Sequence, residues 1–312
     1  SGTAGASAST TGGSINLLSG AGTASSSGSI VLRTAASGLN GVSGALTFAT
    51  GTAKLGSSGL VEVLSGSATG GKGGDIRLAV GKGIGTDIIG GDIIATAGDV
   101  SAFTGGLIRV ATGKSDASSS GAIYIQSSNA GDLGVSGSLM FSTGTTSSGS
   151  SGYLKLASGN AVGGKAGDML VVLGTGDTGA GGDILMNAGA SSDSADGTGG
   201  AIRLTSGYGT QSSSGAVVLK SSNAGVGGVS GMLQFRTGEA SSGSSGSISL
   251  ATGNAAASGE GGNILLQVGS GTEGNGGGIS MVAGAITGTG IGGSVSGTAG
   301  ASASTTGGSI NL

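Results

Sequence analysis

One short pattern governs this chain. A glycine is followed by any residue, Ile/Leu/Val, any residue and a large apolar residue, then usually Ser or Thr and another Gly. It reads GSINLLSG from Gly13, GSIVLRTA from Gly28, GALTFATG from Gly44 and GLVEVLSG from Gly59. It returns from Gly74, Gly91, Gly106, Gly121, Gly137, Gly152, Gly167, Gly182, Gly200, Gly215, Gly231, Gly246, Gly262, Gly277 and Gly293, and closes at Gly308. From Gly13 to Gly308 is 308 − 13 = 295 residues holding 19 units, or about 15.5 residues per unit.

Within a unit the apolar residues alternate with period two, the signature of an extended strand and not of a helix. The second and fourth residues after the glycine share one face. They include Ile15/Leu17, Ile30/Leu32, Leu46/Phe48, Val61/Val63, Ile76/Leu78, Ile123/Ile125, Leu154/Leu156, Ile202/Leu204, Ile248/Leu250 and Ile264/Leu266. At the fourth position only Ala95 and Gly297 depart from large apolar side chains.

Two longer periods lie above this one. The motif GVSG stands at Gly41, Gly134 and Gly228, spaced 93 and 94 residues apart. Each copy leads into a segment with a phenylalanine (Phe48, Phe141, Phe235) and then to GSSG at Gly56, Gly149 and Gly243. Residues 1–17, SGTAGASASTTGGSINL, also recur unchanged as 296–312, an offset of 296 − 1 = 295. The chain therefore reads as a single continuous domain, 1–312, made of one 295-residue period (1–295) and the start of the next copy (296–312). It opens and closes in mid-pattern without the polar caps that repeat arrays carry, so continuation is expected, covalent or by end-to-end contact with a second copy.

Composition limits what such repeats can build. With 76 Gly, no Pro, Cys, His or Trp and 2% aromatics, there is no stock of large side chains for a globular core. The chain is not polar enough for compositional disorder either, at 36% hydrophobic and 9% charged residues with a mean hydropathy of +0.30. The absence of Pro suits a backbone whose N–H groups are all needed as donors. A net charge of −3 provides no basic footprint for nucleic acid, so no nucleic-acid partner is expected. No apolar run approaches the roughly 20 residues of a membrane helix, so no membrane span is expected.

A strand every 15 or 16 residues has two solutions, a meander of hairpins or an all-β parallel β-solenoid (β-helix). Constant spacing, a shared in/out phase and the fixed schedule of the Phe units predict the solenoid, with about 19 coils per period. At about 4.8 Å per coil, 19 coils would span about 91 Å. Some outward positions are charged: Glu62, Arg77, Arg109, Lys155, Arg203, Lys220 and Arg236. Many are apolar: Leu60, Leu107, Tyr124, Met140, Tyr153, Leu170, Val172, Leu185, Val218, Met232 and Leu265. A solvated array does not need so many. Either another part of the same unit covers them, or they form a lateral self-assembly face against neighbouring copies.

Motifs with chemistry fare poorly. GNAVGGK at 159–165 has phosphate-loop spacing, but Ala166 stands where the metal-holding hydroxyl belongs and a strand pattern follows instead of a helix. GGKGGD at 70–75 resembles a calcium-binding roll turn, but the period is wrong and Arg77 occupies the apolar position; Asp75 and Asp168 read as solvated strand starts. Without His or Cys, base-activated nucleophiles are unavailable, and Asp193 and Asp196 read as a polar loop. Thr47, Thr96 and Thr205 are too scattered for an ice-binding column. No catalytic, cofactor-binding or metal-binding residue is therefore expected, and no cofactor.

The run GSSGSISLATGNA…GGNILL, within residues 242–266, resembles the very long Gly/Ser-rich tandem-repeat proteins of diatoms and related algae, and more loosely the stalks of bacterial surface adhesins. The resemblance implies an extracellular or cell-surface location and a structural role. The expectation is the repeating unit of a filament or thread, not an enzyme, with other copies of itself as partner. The alternative is the stalk of an adhesin whose binding tip lies elsewhere.

Overall fold

The computed structural model of the chain describes residues 2–8, 11–85, 88–193, 195–256, 259–303 and 305–311. Among them there is no helix and no strand, only extended segments separated by bends and turns. The chain divides into two units, Ser1–Lys155 and Leu156–Leu312.

Both units are built from one device. The glycine that opens each repeat comes back onto the residue about nine positions behind it. In the first unit Gly28 lies against Ser19, Gly59 against Thr50, Gly74 against Ser65 and Gly121 against Thr112. In the second, Gly167 lies against Ser158, Gly215 against Ser206 and Gly246 against Thr237. The residue type follows from that approach. A Cβ on Gly106 would stand 3.0 Å from both the Ala97 Cβ and the Gly98 nitrogen, closer than side-chain carbons normally come. Only a residue without a side chain closes the loop there.

A backbone hydrogen bond seals many of these loops. In the first unit the N–H groups of Gly13, Gly28, Gly106 and Gly121 donate to the carbonyls of Gly5, Gly20, Gly98 and Gly113, each eight residues back. In the second, Gly200, Gly215, Gly293 and Gly308 donate to Gly189, Gly207, Gly284 and Gly300. At Gly28 the closure is double, since the Ser19 hydroxyl donates to the Gly28 carbonyl at 2.9 Å while Gly28 N–H reaches Gly20 at 2.9 Å. The two copies of the 17-residue repeat close alike: Gly13 to Gly5 and Gly308 to Gly300, both at 2.9 Å. The GVSG sites are tighter. Gly41, Gly134 and Gly228 each donate to the carbonyl three residues back, at 3.2 Å. In the last of these turns Gly227 takes φ +77°, the left-handed value a type II turn requires at its third residue.

This arrangement corrects the expected architecture: the chain is neither a β-solenoid nor a β-helix, and the coil count and span derived from that fold do not apply. Stacked coils bond to partners one unit away, 15 or 16 residues along. Here the backbone partners outside regular elements lie three to eleven residues away, and no ladder forms among the described residues. The end of one segment adjoins the start of the next, which is the connectivity of a hairpin base, but the arms do not zip into a sheet. The physical reason lies at the glycine. Its open side is filled by a Ser, Thr, Ala, Val or Leu nine to twelve residues behind, so the equivalent glycine of a stacked coil has no room there. Doubling a loop costs only about 0.6 kcal/mol in closure entropy, so entropy separates the short and long closures little and local packing decides.

No apolar side chain is buried among the described residues. The accessible surface is 30608 Å². A globular monomer of this mass exposes about 11,000 Å² and its extended chain about 41,000 Å². Closing the loops thus removes only about a quarter of the extended chain's surface.

The sealing bond gives a first expectation. Gly106→Val should abolish the Gly106–Gly98 closure, because the new side chain meets backbone at contact distance. Solution NMR would read this as loss of the reduced temperature dependence of that one amide, while Gly121, sealed independently, keeps its own.

Candidate functional site

The in/out phase read from the repeat survives without a sheet. At residues 123–125 the exposures run 51% for Ile123, 88% for Tyr124 and 60% for Ile125. The even-position side chains turn toward shared hollows. One, of about 390 Å³, is lined by Leu156, Met169 and Val171 from consecutive segments, with Ala157, Ser158, Asp168 and Leu170 at its edge. Another, of about 380 Å³, collects Met281, Val295, Gly297 and Ile310 from three consecutive segments, with Ser296. Neither hollow is filled by the chain's own side chains.

The residues expected to form a lateral face are the more open positions of their own segments. Leu60, Leu107, Tyr124, Met140, Tyr153, Leu170, Val172, Leu185, Val218, Met232 and Leu265 are all exposed, from 71% at Val172 to 88% at Tyr124. No other part of a unit covers them. Of the eleven, Leu170 alone touches one of these hollows.

The charged residues are arranged locally. Lys72 pairs with Asp75 at 2.6 Å, Lys165 with Asp168 at 2.8 Å and Arg236 with Glu239 at 2.8 Å, each three residues apart, and Lys114 pairs with Asp116. All are solvent-exposed, where such pairs contribute about 0–1 kcal/mol. The two lysine pairs are equivalents, 165 − 72 = 93 residues apart, which the GGK(G/A)GD motif signals once the motif is read as a turn. The phosphate-loop spacing at 159–165 therefore ends in a lysine directed at a neighbouring carboxylate. In the polar loop, Asp193 accepts from Ala195 N–H and its own N–H donates to Ser191 Oγ, the geometry of an Asx turn. Ser194, between Asp193 and Asp196, lies outside the described residues. No cluster of three metal-capable side chains occurs among the described residues. Among the described residues no helix is long and apolar enough to cross a membrane.

What sequence reasoning missed is the closure itself. Its signal was visible in the recurring interval of nine to twelve residues, most often nine, between a residue at the end of one segment, commonly Ser or Thr, and the glycine opening the next.

No family model, curated protein or solved structure matches this chain.

Proposed function

We propose that this chain is a repeating structural segment of an extracellular filament or thread, in which copies cover one another's apolar side chains. One observation carries the reading: apolar residues recur on schedule along 312 residues, and none of those described is buried by the chain itself. Apolar side chains left uncovered at every repeat are surface that association can remove from water. Little opposes association of like with like, because net charge is −3 and only 9% of residues are charged. The same sequence recurs at 1–17 and 296–312, an offset of 295 residues, as expected of a tandem repeat.

The test is the association state of the purified 312-residue chain across a wide concentration range, by analytical ultracentrifugation and electron microscopy. Elongated assemblies that grow with concentration are expected. A chain that stays monomeric to its solubility limit would remove this reading.

A further inference from the structure

We infer that copies join through their backbones: extended apolar segments of one chain add as strands to like segments of a second copy. This rests on the filament reading and adds to it the bonds between copies. Each pairing spans a single segment of about five residues, so no longer register is required.

The backbone donors point to this partner. Among the described residues twelve backbone N–H groups donate to a backbone carbonyl, and every donor is a glycine. The backbone N–H groups that donate to side chains, such as those of Ser118, Ser148 and Asp193, stand in bends and loops. Segments 122–126 and 263–268 neither donate nor accept a backbone hydrogen bond within the chain. A folded protein makes about one internal hydrogen bond per residue. With no proline in 312 residues, no segment has lost a donor that a ladder would use.

A second copy fits these segments. An extended peptide adds to an open edge through main-chain bonds, while alternate side chains fix which face is shared. The segments AIYIQ at 122–126 and NILLQV at 263–268 are apolar, uncharged and free of proline, the composition that pairs with itself. Edges that must stay single are blunted by charge or proline, and GSLMFSTG from Gly137 and GSISLATG from Gly246 carry neither. Period two in both partners puts open positions such as Tyr124 and Leu265, 88% and 80% exposed, on one face. Ile123 and Ile264, 51% and 57% exposed, then lie on the other. An extended segment has two edges, so a paired copy still offers one to the next. Association therefore extends instead of closing into a dimer.

The aromatic residues distinguish segments from loops. Phe48, Phe141, Phe235, Tyr124 and Tyr153 stand in apolar segments, whereas Phe103 and Tyr208 lie inside the loops that Gly106 and Gly215 close. The full chain, isotope-labelled at the carbonyl carbons of Phe and Tyr, is mixed with chain isotope-labelled at every nitrogen and assembled for solid-state NMR. The segment carbonyls should move to sheet values on assembly, while Phe103 and Tyr208 keep those of the dilute chain. Magnetisation should pass from the segment carbonyls to amide nitrogens of the other copy, because each ladder bond joins two chains. Tyr124→Pro, Ile125→Pro, Leu265→Pro and Leu266→Pro together remove donors from both edges of two segments. This variant should need about 10-fold more protein to assemble than one with alanine at the same positions, which keeps every N–H. Assemblies whose segment carbonyls keep dilute-chain values, or reach sheet values without transfer between copies, would overturn the ladder and leave the filament reading in place. Equal assembly of the proline and alanine variants would overturn it too. A parent chain that stays monomeric would overturn both.

Discussion

Hydrogen–deuterium exchange of the dilute chain is expected to proceed at the rate of a short unstructured peptide over nearly every amide. Measurable slowing should be confined to the sealing glycines, such as Gly13, Gly28, Gly106, Gly121, Gly215 and Gly308, whose N–H groups donate at 2.9–3.2 Å. The expectation follows from where donors find acceptors. Protection requires a bond that breaks only when something costly opens, and its depth is the free energy of that opening. Segments such as Ser14–Leu17 and Ala122–Ile125 belong to no ladder, so little opposes exchange there. A stacked β structure would behave oppositely, with amides in the apolar segments slowed by factors that track a stability of about 5–15 kcal/mol. On assembly the same segments should slow by about a hundredfold or more, because each about 1.4 kcal/mol of added opening cost is a tenfold change. Deep protection of the dilute, monomeric chain at Ile15, Ile123 or Ile248 would show a ladder and refute the open architecture.

The contrast between expectation and structure is instructive at particular residues. The alternation at Ile123, Tyr124 and Ile125 stated which side chains share a face, and the exposures of these three follow it. The same alternation is silent on which segment lies alongside. An apolar residue gains nearly the same from any apolar neighbour, since the hydrophobic effect has no direction. The glycines carried the missing information in ambiguous form. Gly121 is equally suited to a corner between stacked coils and to a return onto Thr112, because both demand an absent side chain. What separates them is the side chain nine to twelve residues behind, Thr112 here, and the hydrogen bond from Gly121 to the glycine beside it, both of which are local. The 93–94 residue period was fully legible, and it reappears as three equivalent turns at Gly41, Gly134 and Gly228. The eleven outward apolar residues were legible one by one as open positions, but not as a patch. Period two places a side chain on a side of its own segment and says nothing of how successive segments are oriented.

Replacing four outward leucines, Leu60, Leu107, Leu185 and Leu265, together with serine is expected to raise the concentration required for assembly by about 100-fold or more. Each is at least 80% exposed in the single chain, so almost all of its apolar surface is available to be covered by a neighbour. Full burial of a leucine contributes about 1.5–3 kcal/mol. Even half of that over four positions is about 3–6 kcal/mol, or two to four decades in an association constant. Such terms are rarely additive between nearby sites, so the lower end is the figure to test. The variant has no core to lose, and its loop closures involve none of the four positions, so a change in assembly reports the face and not a collapse of the fold. The matched comparison replaces Ile123, Leu154, Ile202 and Ile248, which lie between 51% and 58% exposed on the opposite face. Those side chains already rest partly against their own chain and have less surface left to cover, so their loss should cost assembly about tenfold, less than the outward set. Sedimentation of parent and both variants over the same concentration series makes the comparison. If the outward set assembles like the parent while the inward set does not, copies join through the open hollows, and the outward leucines are solvent-facing in the filament as well.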